Sequence, residues 1–255
     1  MQRRRFYATP ASIGESLIHL SSEESHHLAR VLRLREGDEA FVFDGCGREY
    51  RCRVAQTDAR VARLEIVEAL ADEVESPLDL TLAQALVKGE KFELIVQKAT
   101  ELGVRKIVPL ITANADLKLS EERAEKRAER WRRIALEALK QSGGRRLVDI
   151  QSPLALADFI TATQEQSAAP PVLLVFSEHG GAAVNEVLSN EDYARRVIAL
   201  IGPEGGWDTG ELDLLAASGA RAVTLGPRIL RTETAALAAV ALIQHRLGDL
   251  SRELR

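Results

Sequence analysis

Two five-residue runs, Val172-Leu173-Leu174-Val175-Phe176 and Val197-Ile198-Ala199-Leu200-Ile201, contain no polar side chain. A strand with one solvated face alternates apolar and polar residues, whereas a strand that is apolar throughout has to be covered on both faces. Sheets covered on both faces are mostly parallel, with helices crossing over between their strands. These runs therefore predict an α/β domain built on a mostly parallel sheet.

The surrounding pattern agrees from Leu78 onward. Residues 78–85, 106–111 and 222–225 read as further strands. Between them, Lys88 to Leu102 places Phe92, Ile95, Val96, Ala99 and Leu102 on one helical face, and Gly103 is set to cap its C-terminus. Ser120 to about Gln141 carries Ala124, Ala128, Trp131, Ala135 and Ala138 on an inner stripe. Asp208 to Ala217 opens with Asp208 and Glu211 at capping-box spacing, and Thr232 to Leu247 is the last helix. Residues 164–171 read as a polar, proline-ended loop. The first 72 residues differ: short strands, a hairpin over Asp38 to Val54 turning at Gly45-Cys46-Gly47, a strand over 61–67, and a short capped helix from Ser22 to Val31. This pattern predicts a small β-barrel over residues 1–72 and an α/β domain over 73–255, with the acidic, proline-ended stretch 71–77 as linker.

The chain has 255 residues, 45% hydrophobic and 28% charged, with a net charge of −4. No apolar run approaches the ~20 residues of a membrane helix. The basic start, Met1-Gln2-Arg3-Arg4-Arg5, is not followed by an apolar signal core, so a cytoplasmic protein is expected. Cys46 and Cys52 are placed to face each other across the hairpin, but in that compartment they are expected to be reduced. Neither they nor the pair His26-His27 make up a metal-ligand set, so no metal is expected. The net charge argues against a protein coated in positive charge. Residues 118–146, with ten Lys/Arg against five Glu, are a local basic excess that reads equally as a solvated helix with i,i+4 pairs.

Two turns near the C-terminus carry the chemistry. Gly202-Pro203-Glu204-Gly205-Gly206-Trp207 follows the second apolar run, and Gly226-Pro227-Arg228-Ile229-Leu230-Arg231 follows the last strand. Turns side by side at the ends of parallel strands form a ligand crevice. A phosphate cradle needs bare backbone N–H groups. Here Pro203 removes an N–H and Glu204 adds an anion, so a cationic or zwitterionic ligand fits better.

These turns resemble the signature of the RsmE family of 16S rRNA uridine N3-methyltransferases, in the SPOUT class. Gly202 to Gly206 and Leu225 to Ala235 carry the resemblance. Three further segments support it: His27-Leu28-Ala29-Arg30-Val31-Leu32-Arg33 with Gly37-Asp38; Lys88 to Lys91 through Gln97 to Val104; and Trp131 through Glu137-Ala138, Gln141-Ser142 and Arg145. The resemblance covers the whole chain in order. It implies a PUA-like N-terminal barrel, an α/β domain tied in a trefoil knot, S-adenosyl-L-methionine as methyl donor, and a homodimer. The implied substrate is 16S rRNA, within the small ribosomal subunit near the decoding centre. Where family members often carry an arginine, this chain has Thr112-Ala113-Asn114-Ala115-Asp116-Leu117-Lys118, leaving Lys118 as the basic residue there.

The resemblance places the cofactor against Leu200, Ile201, Gly202, Pro203, Glu204, Gly205, Gly206, Leu225, Gly226, Ile229, Leu230 and Thr234. The glycines permit close backbone approach, and Leu225, Ile229 and Leu230 can sandwich an adenine. Thr232 and Thr234 also sit where they could cap the last helix. Uridine N3 must lose a proton before it attacks. Arg231 is the candidate for stabilising the resulting anion at O2 or O4. Glu204 and Glu233 are the candidate bases, and Glu233 is equally placed to orient Arg231. Candidate RNA contacts are Arg3, Arg4, Arg5, Arg30 and Arg33 on the barrel, and Lys88, Lys91, Lys98, Arg145, Arg146 and Arg228 around the crevice. Three rivals make different demands. A silent RNA chaperone would show decayed turns, and a Rossmann oxidoreductase would show Gly-x-Gly-x-x-Gly after the first strand of the α/β domain. A related methyltransferase on tRNA or a ribose hydroxyl would differ in its N-terminal module.

Overall fold

The computed structural model describes residues 3–71, 76–115, 120–165, 170–189 and 196–251. Two compact units emerge, residues 1–74 with 139–147, and residues 75–138 with 148–255. Most of the linker stretch 71–77, the middle of the loop at 164–171, and Asp116 to Lys118 lie outside the described residues.

The first unit holds β1 (Arg5–Tyr7), β2 (Leu17–His19), β3 (Glu39–Phe43), β4 (Glu49–Gln56) and β5 (Arg63–Ala69) in the order β1-β3-β4-β5-β2. It is a curled, open sheet with β1 and β2 at its edges rather than a closed barrel. Phe6, Ile18, Leu28, Val42, Val54 and Leu64 fill its core. The hairpin forms where the sequence predicts it. Gly45 and Gly47 turn at φ 77° and 114°, and the Asp44 carboxylate accepts from the amides of Cys46 (2.7 Å) and Arg48 (3.0 Å). The register pairs Cys52 with Ala40 and leaves Cys46 in the turn, so the two thiols do not face each other; both are free. Burial pushes the Cys52 thiol up to about 12. The short helix α1 (Ser22–His26) is capped by the Ser21 hydroxyl, which accepts from Glu24, and continues as a wider π turn over His27–Val31. His27 packs edge-on against the Phe6 ring at 5.9 Å.

Three buried charges close this unit. Arg5, Glu49 and Arg145 are 7%, 2% and 4% exposed. Arg5 Nε donates to Glu49 at 2.6 Å, and its other nitrogens donate to the carbonyls of Leu139 (3.0 Å) and Gly144 (2.8 Å). Arg145 reaches the other Glu49 oxygen at 3.2 Å and donates to the Ala71 carbonyl at 2.8 Å. Beside them, Lys140 pairs with the buried Glu24.

The second unit follows the predicted alternation. Its strands are β6 (Asp79–Ala85), β7 (Lys106–Ile111), β8 (Asp149–Ile150), β9 (Leu154–Ala155), β10 (Val172–Phe176), β11 (Ala182–Ala183), β12 (Arg196–Ile201) and β13 (Arg221–Thr224). The order is β11-β13-β10-β12-β6-β7-β8, with β9 also on β7, and every pairing among the described residues is parallel. Its helices are α2 (Lys91–Glu101), α3 (Glu121–Ser142), α4 (Leu156–Glu165), α5 (Val184–Ser189), α6 (Thr209–Ala217) and α7 (Thr232–Leu247). Strand parity divides the core. Leu80, Leu82, Leu174, Val197 and Ala199 join side chains of α2, α3, α5 and α7 on one face. Ala83, Leu173, Val175, Ile198 and Leu200 join α4 and α6 on the other.

The chain steps outward from β6 through β7 to β8, then returns to start β10 on the opposite side, and β12 fills the gap between β6 and β10. Loops leaving strands on either side of such a reversal diverge, which opens a crevice at the strands' carboxyl ends.

Candidate active site

A cavity of about 330 Å³ lies at the carboxyl ends of β10, β12 and β13. The first turn supplies Ile201, Gly202, Pro203, Glu204, Gly206 and Trp207 to its wall. The second supplies Leu225, Gly226, Arg228, Ile229, Leu230 and Arg231. The predicted pair of turns thus shares one crevice.

The first turn is held from several directions. The Trp207 indole N–H donates to the Phe176 carbonyl at the end of β10, at 3.1 Å. A Cβ at Gly202 would meet that indole at 3.1 Å, tight enough that the ring would have to give by a few tenths of an ångström. The Asn114 amide donates to the Gly206 carbonyl at 3.1 Å. Lys91, at the start of α2, pairs with Glu204 at 2.6 Å. The capping box holds α6: Asp208 accepts from the Gly210 amide, while Glu211 accepts from Asp208 and, with its other oxygen, from Ala113 at 2.7 Å.

The second turn is barer. Gly226 takes a φ of 103°, and Thr224 Oγ1 lies 3.3 Å from its amide. Arg228, Ile229 and Arg231 are exposed, Ile229 at 78%. Arg231 is the N-cap residue of α7 and makes no side-chain cap bond. Thr232 does not cap the helix either. Its hydroxyl accepts from the Gln84 amide at 3.1 Å and donates to the Gly202 carbonyl at 2.7 Å.

Several predicted site residues lie elsewhere. Leu200 is fully buried on the opposite sheet face, one residue out of phase with the cavity-lining Ile201. Gly205 faces Asn114 rather than the cavity. Glu233 and Thr234 do not line it, because each residue turns a helix by ~100° and the cavity-facing position returns only at Ala235. One Glu233 carboxylate oxygen is instead buried with no hydrogen-bond partner among the described residues.

The basic candidates divide as well. Arg5 and Arg145 are consumed by Glu49 and backbone carbonyls, so their buried guanidinium groups present nothing to a phosphate. Lys98 is paired with Glu101 at 2.8 Å, about 10 Å along α2 from Lys91, and does not border the cavity. Arg3, Arg4, Arg30, Arg33, Lys88 and Arg146 are at the surface, and Arg228 is on the cavity rim.

The structure adds residues that the sequence reading passed over: Phe176, Ser177, Glu178 and His179 after β10, with Trp207, Thr224, Thr232 and Gln84. The available signal was position, because a polar loop directly after a fully apolar parallel strand belongs at a crevice. Glu178 gives the cavity a second carboxylate beside Glu204, and Phe176, Ile201, Leu225 and Leu230 give it an apolar wall. Carboxylates with an apolar wall suit an organic cation. Among the described residues there is no group of three His, Cys, Asp or Glu side chains able to hold a metal ion, and no helix long and apolar enough to cross a membrane.

Comparison with known proteins agrees with this geometry. A family model described as an RNA methyltransferase domain matches residues 74–244, and one described as an RNA methyltransferase PUA domain matches residues 20–67. The ribosomal RNA small subunit methyltransferase E of Synechocystis is 35% identical over 241 residues, 94% of this chain and 76% of that protein. The Bacillus subtilis protein of the same name is 30% identical over 247 residues, 96% of each. The solved structure of the Neisseria gonorrhoeae protein of that name, bound to S-adenosyl methionine, matches with a TM-score of 0.87 at 31% identity, over 97% of this chain and 99% of that one.

Proposed function

This chain belongs to the RNA methyltransferase family, in its ribosomal RNA small subunit methyltransferase E branch, and we propose that it methylates N3 of a uridine in 16S rRNA near the decoding centre. It is an S-adenosylmethionine-dependent rRNA methyltransferase. The observation that carries this reading is the meeting of two glycine turns around one cavity, lined by the carboxylates Glu178 and Glu204 and by the cations Lys91, Arg228 and Arg231.

The residues present fit the donor. Ile201, Leu225 and Leu230 offer an apolar slot, and Glu178 and Glu204 supply carboxylates to face a positive charge. When bound, S-adenosylmethionine supplies a methyl group on a sulfonium centre. The protein's share is positioning and electrostatics. Arg231 lines the cavity with an exposed guanidinium and is the residue we assign to stabilising the uridine anion. Glu204, paired with Lys91 at 2.6 Å, and Glu178, 3.2 Å from His179, are the cavity carboxylates that could receive the N3 proton, since Glu233 is turned from the cavity.

The wider reading assigns RNA binding to residues 1–72 and catalysis to residues 73–255. The second domain is read as trefoil-knotted, the chain as a cytoplasmic homodimer, and the assembled small subunit as substrate. Exposed Arg3, Arg4, Arg30 and Arg33, with Lys88, Arg146 and Arg228, are the candidate phosphate contacts.

The test is methyl transfer from labelled S-adenosylmethionine to small subunits from cells lacking this gene, with mass spectrometry of the nucleosides. One new N3-methyluridine is expected. An Arg231→Ala protein should bind the donor normally and turn over about 10²–10³-fold more slowly. A different methylated nucleoside would overturn the N3 assignment, and failure to bind the donor would overturn the whole reading.

A further inference from the structure

We infer that Gln84 is a positioning residue, acting through Thr232 to fix the separation of the two turns that grip the methyl donor. The inference rests on the reading of the cavity as the S-adenosylmethionine site. Gln84 lies in β6, paired in register with Ile201 at the end of β12, and is fully buried. It does not line the cavity.

The hydrogen bonds leave one arrangement. The Gln84 amide nitrogen donates to the Ala85 carbonyl at 2.9 Å and to Thr232 Oγ1 at 3.1 Å, using both N–H bonds. A carbonyl oxygen in that place would face the Ala85 carbonyl, so the amide cannot be reversed. The Thr232 hydroxyl has one proton. Having accepted from Gln84, it gives that proton to the Gly202 carbonyl at 2.7 Å. Gly202 opens the first turn, and Thr232 follows Arg231 at the end of the second. The relay therefore ties together the end of β6, the first turn and the foot of α7.

Folding alone does not explain the glutamine. Its Oε1 is buried without a hydrogen-bond partner among the described residues, which is a destabilising arrangement that an apolar side chain would avoid. A directional donor aimed at Thr232 is what that cost secures. Thr232 without its hydroxyl would leave the Gly202 carbonyl and the Gln84 amide unsatisfied together, and the turns would be free to part.

The experiment uses the full chain. Donor affinity is measured by calorimetry, KM and kcat by methyl transfer, and the melting midpoint alongside. Gln84→Met and Thr232→Val should each weaken S-adenosylmethionine binding about tenfold or more, raising its KM more than they lower kcat. Thr232→Ser keeps the hydroxyl and should stay within about threefold of the wild type. The double variant Gln84→Met/Thr232→Val should be no weaker than the worse single variant, because both changes cut one relay. Gln84→Met keeps the Thr232 hydroxyl and decides the question if Thr232→Val fails to fold. Wild-type binding with unchanged affinity in Gln84→Met overturns the inference, as does a serine variant as weak as the valine one, or losses that multiply. A wild-type protein that does not bind the donor removes the cofactor reading itself, and the inference with it.

Discussion

The two turns that meet at the cavity are built on opposite plans. The first is bound by Trp207 to β10, by Asn114 to the loop after β7, by Lys91 to α2 and by Thr232 to α7. The second shows Arg228, Ile229 and Arg231 to solvent, and the contact between Thr224 and Gly226 is a local one. A wall that must hold a carboxylate at a fixed place gains from rigidity. A wall that must meet an RNA base gains from reach. Both turns line the one cavity, so the contrast is between a braced wall and a bare one.

Substitutions can break that division. The largest effect is expected at Gly202. In Gly202→Ala the new Cβ pushes against the Trp207 indole, an overpacking cost of about 1–3 kcal/mol, or about fivefold to 150-fold in donor affinity by calorimetry. Equal donor binding would show that the first turn is less constrained than its contacts indicate. A smaller effect is expected from Trp207→Phe, which keeps the ring but strands the Phe176 carbonyl. Loss of about 1 kcal/mol of stability, read in a denaturant titration, is expected with about a fivefold loss of donor affinity. The smallest is at Ile229 in the second turn. Ile229→Ser should leave stability within about 0.5 kcal/mol of the wild type, because the side chain is already in water. A fall in methyl transfer at unchanged donor affinity is then a matter of substrate contact, and a large loss of stability would show that the second turn is packed after all.

Much of this was legible in the sequence, and the failures have physical causes. The runs at 172–176 and 197–201 were recognisable because a strand buried on both faces has no polar position. The capping box at Asp208 and Glu211 was recognisable because both partners are local. β8, β9 and β11 span two residues each, too few to show any period. Leu200 was misassigned for want of a parity argument: if Ile201 faces the cavity, its neighbour in a strand faces away. Arg5 and Arg145 read as surface cations because their partner Glu49 is 44 residues from one and 96 from the other, and no local pattern signals a contact at that range. Thr232 looked like a cap for the same reason, since its partners Gln84 and Gly202 come from distant strands.

The Arg5–Glu49–Arg145 cluster also has a consequence for how the protein is made. A ribosome releases Glu49 long before Arg145, and at ordinary synthesis rates the interval is roughly 5–20 s. During that time the carboxylate lacks Arg145, and the first unit lacks the segment 139–147. An early-translated half that is finished by a late-translated strap cannot lock before its neighbour has begun to form. The order of synthesis thus leaves the N-terminal unit, although first to emerge, incomplete until residues 139–147 have followed the first part of its neighbour.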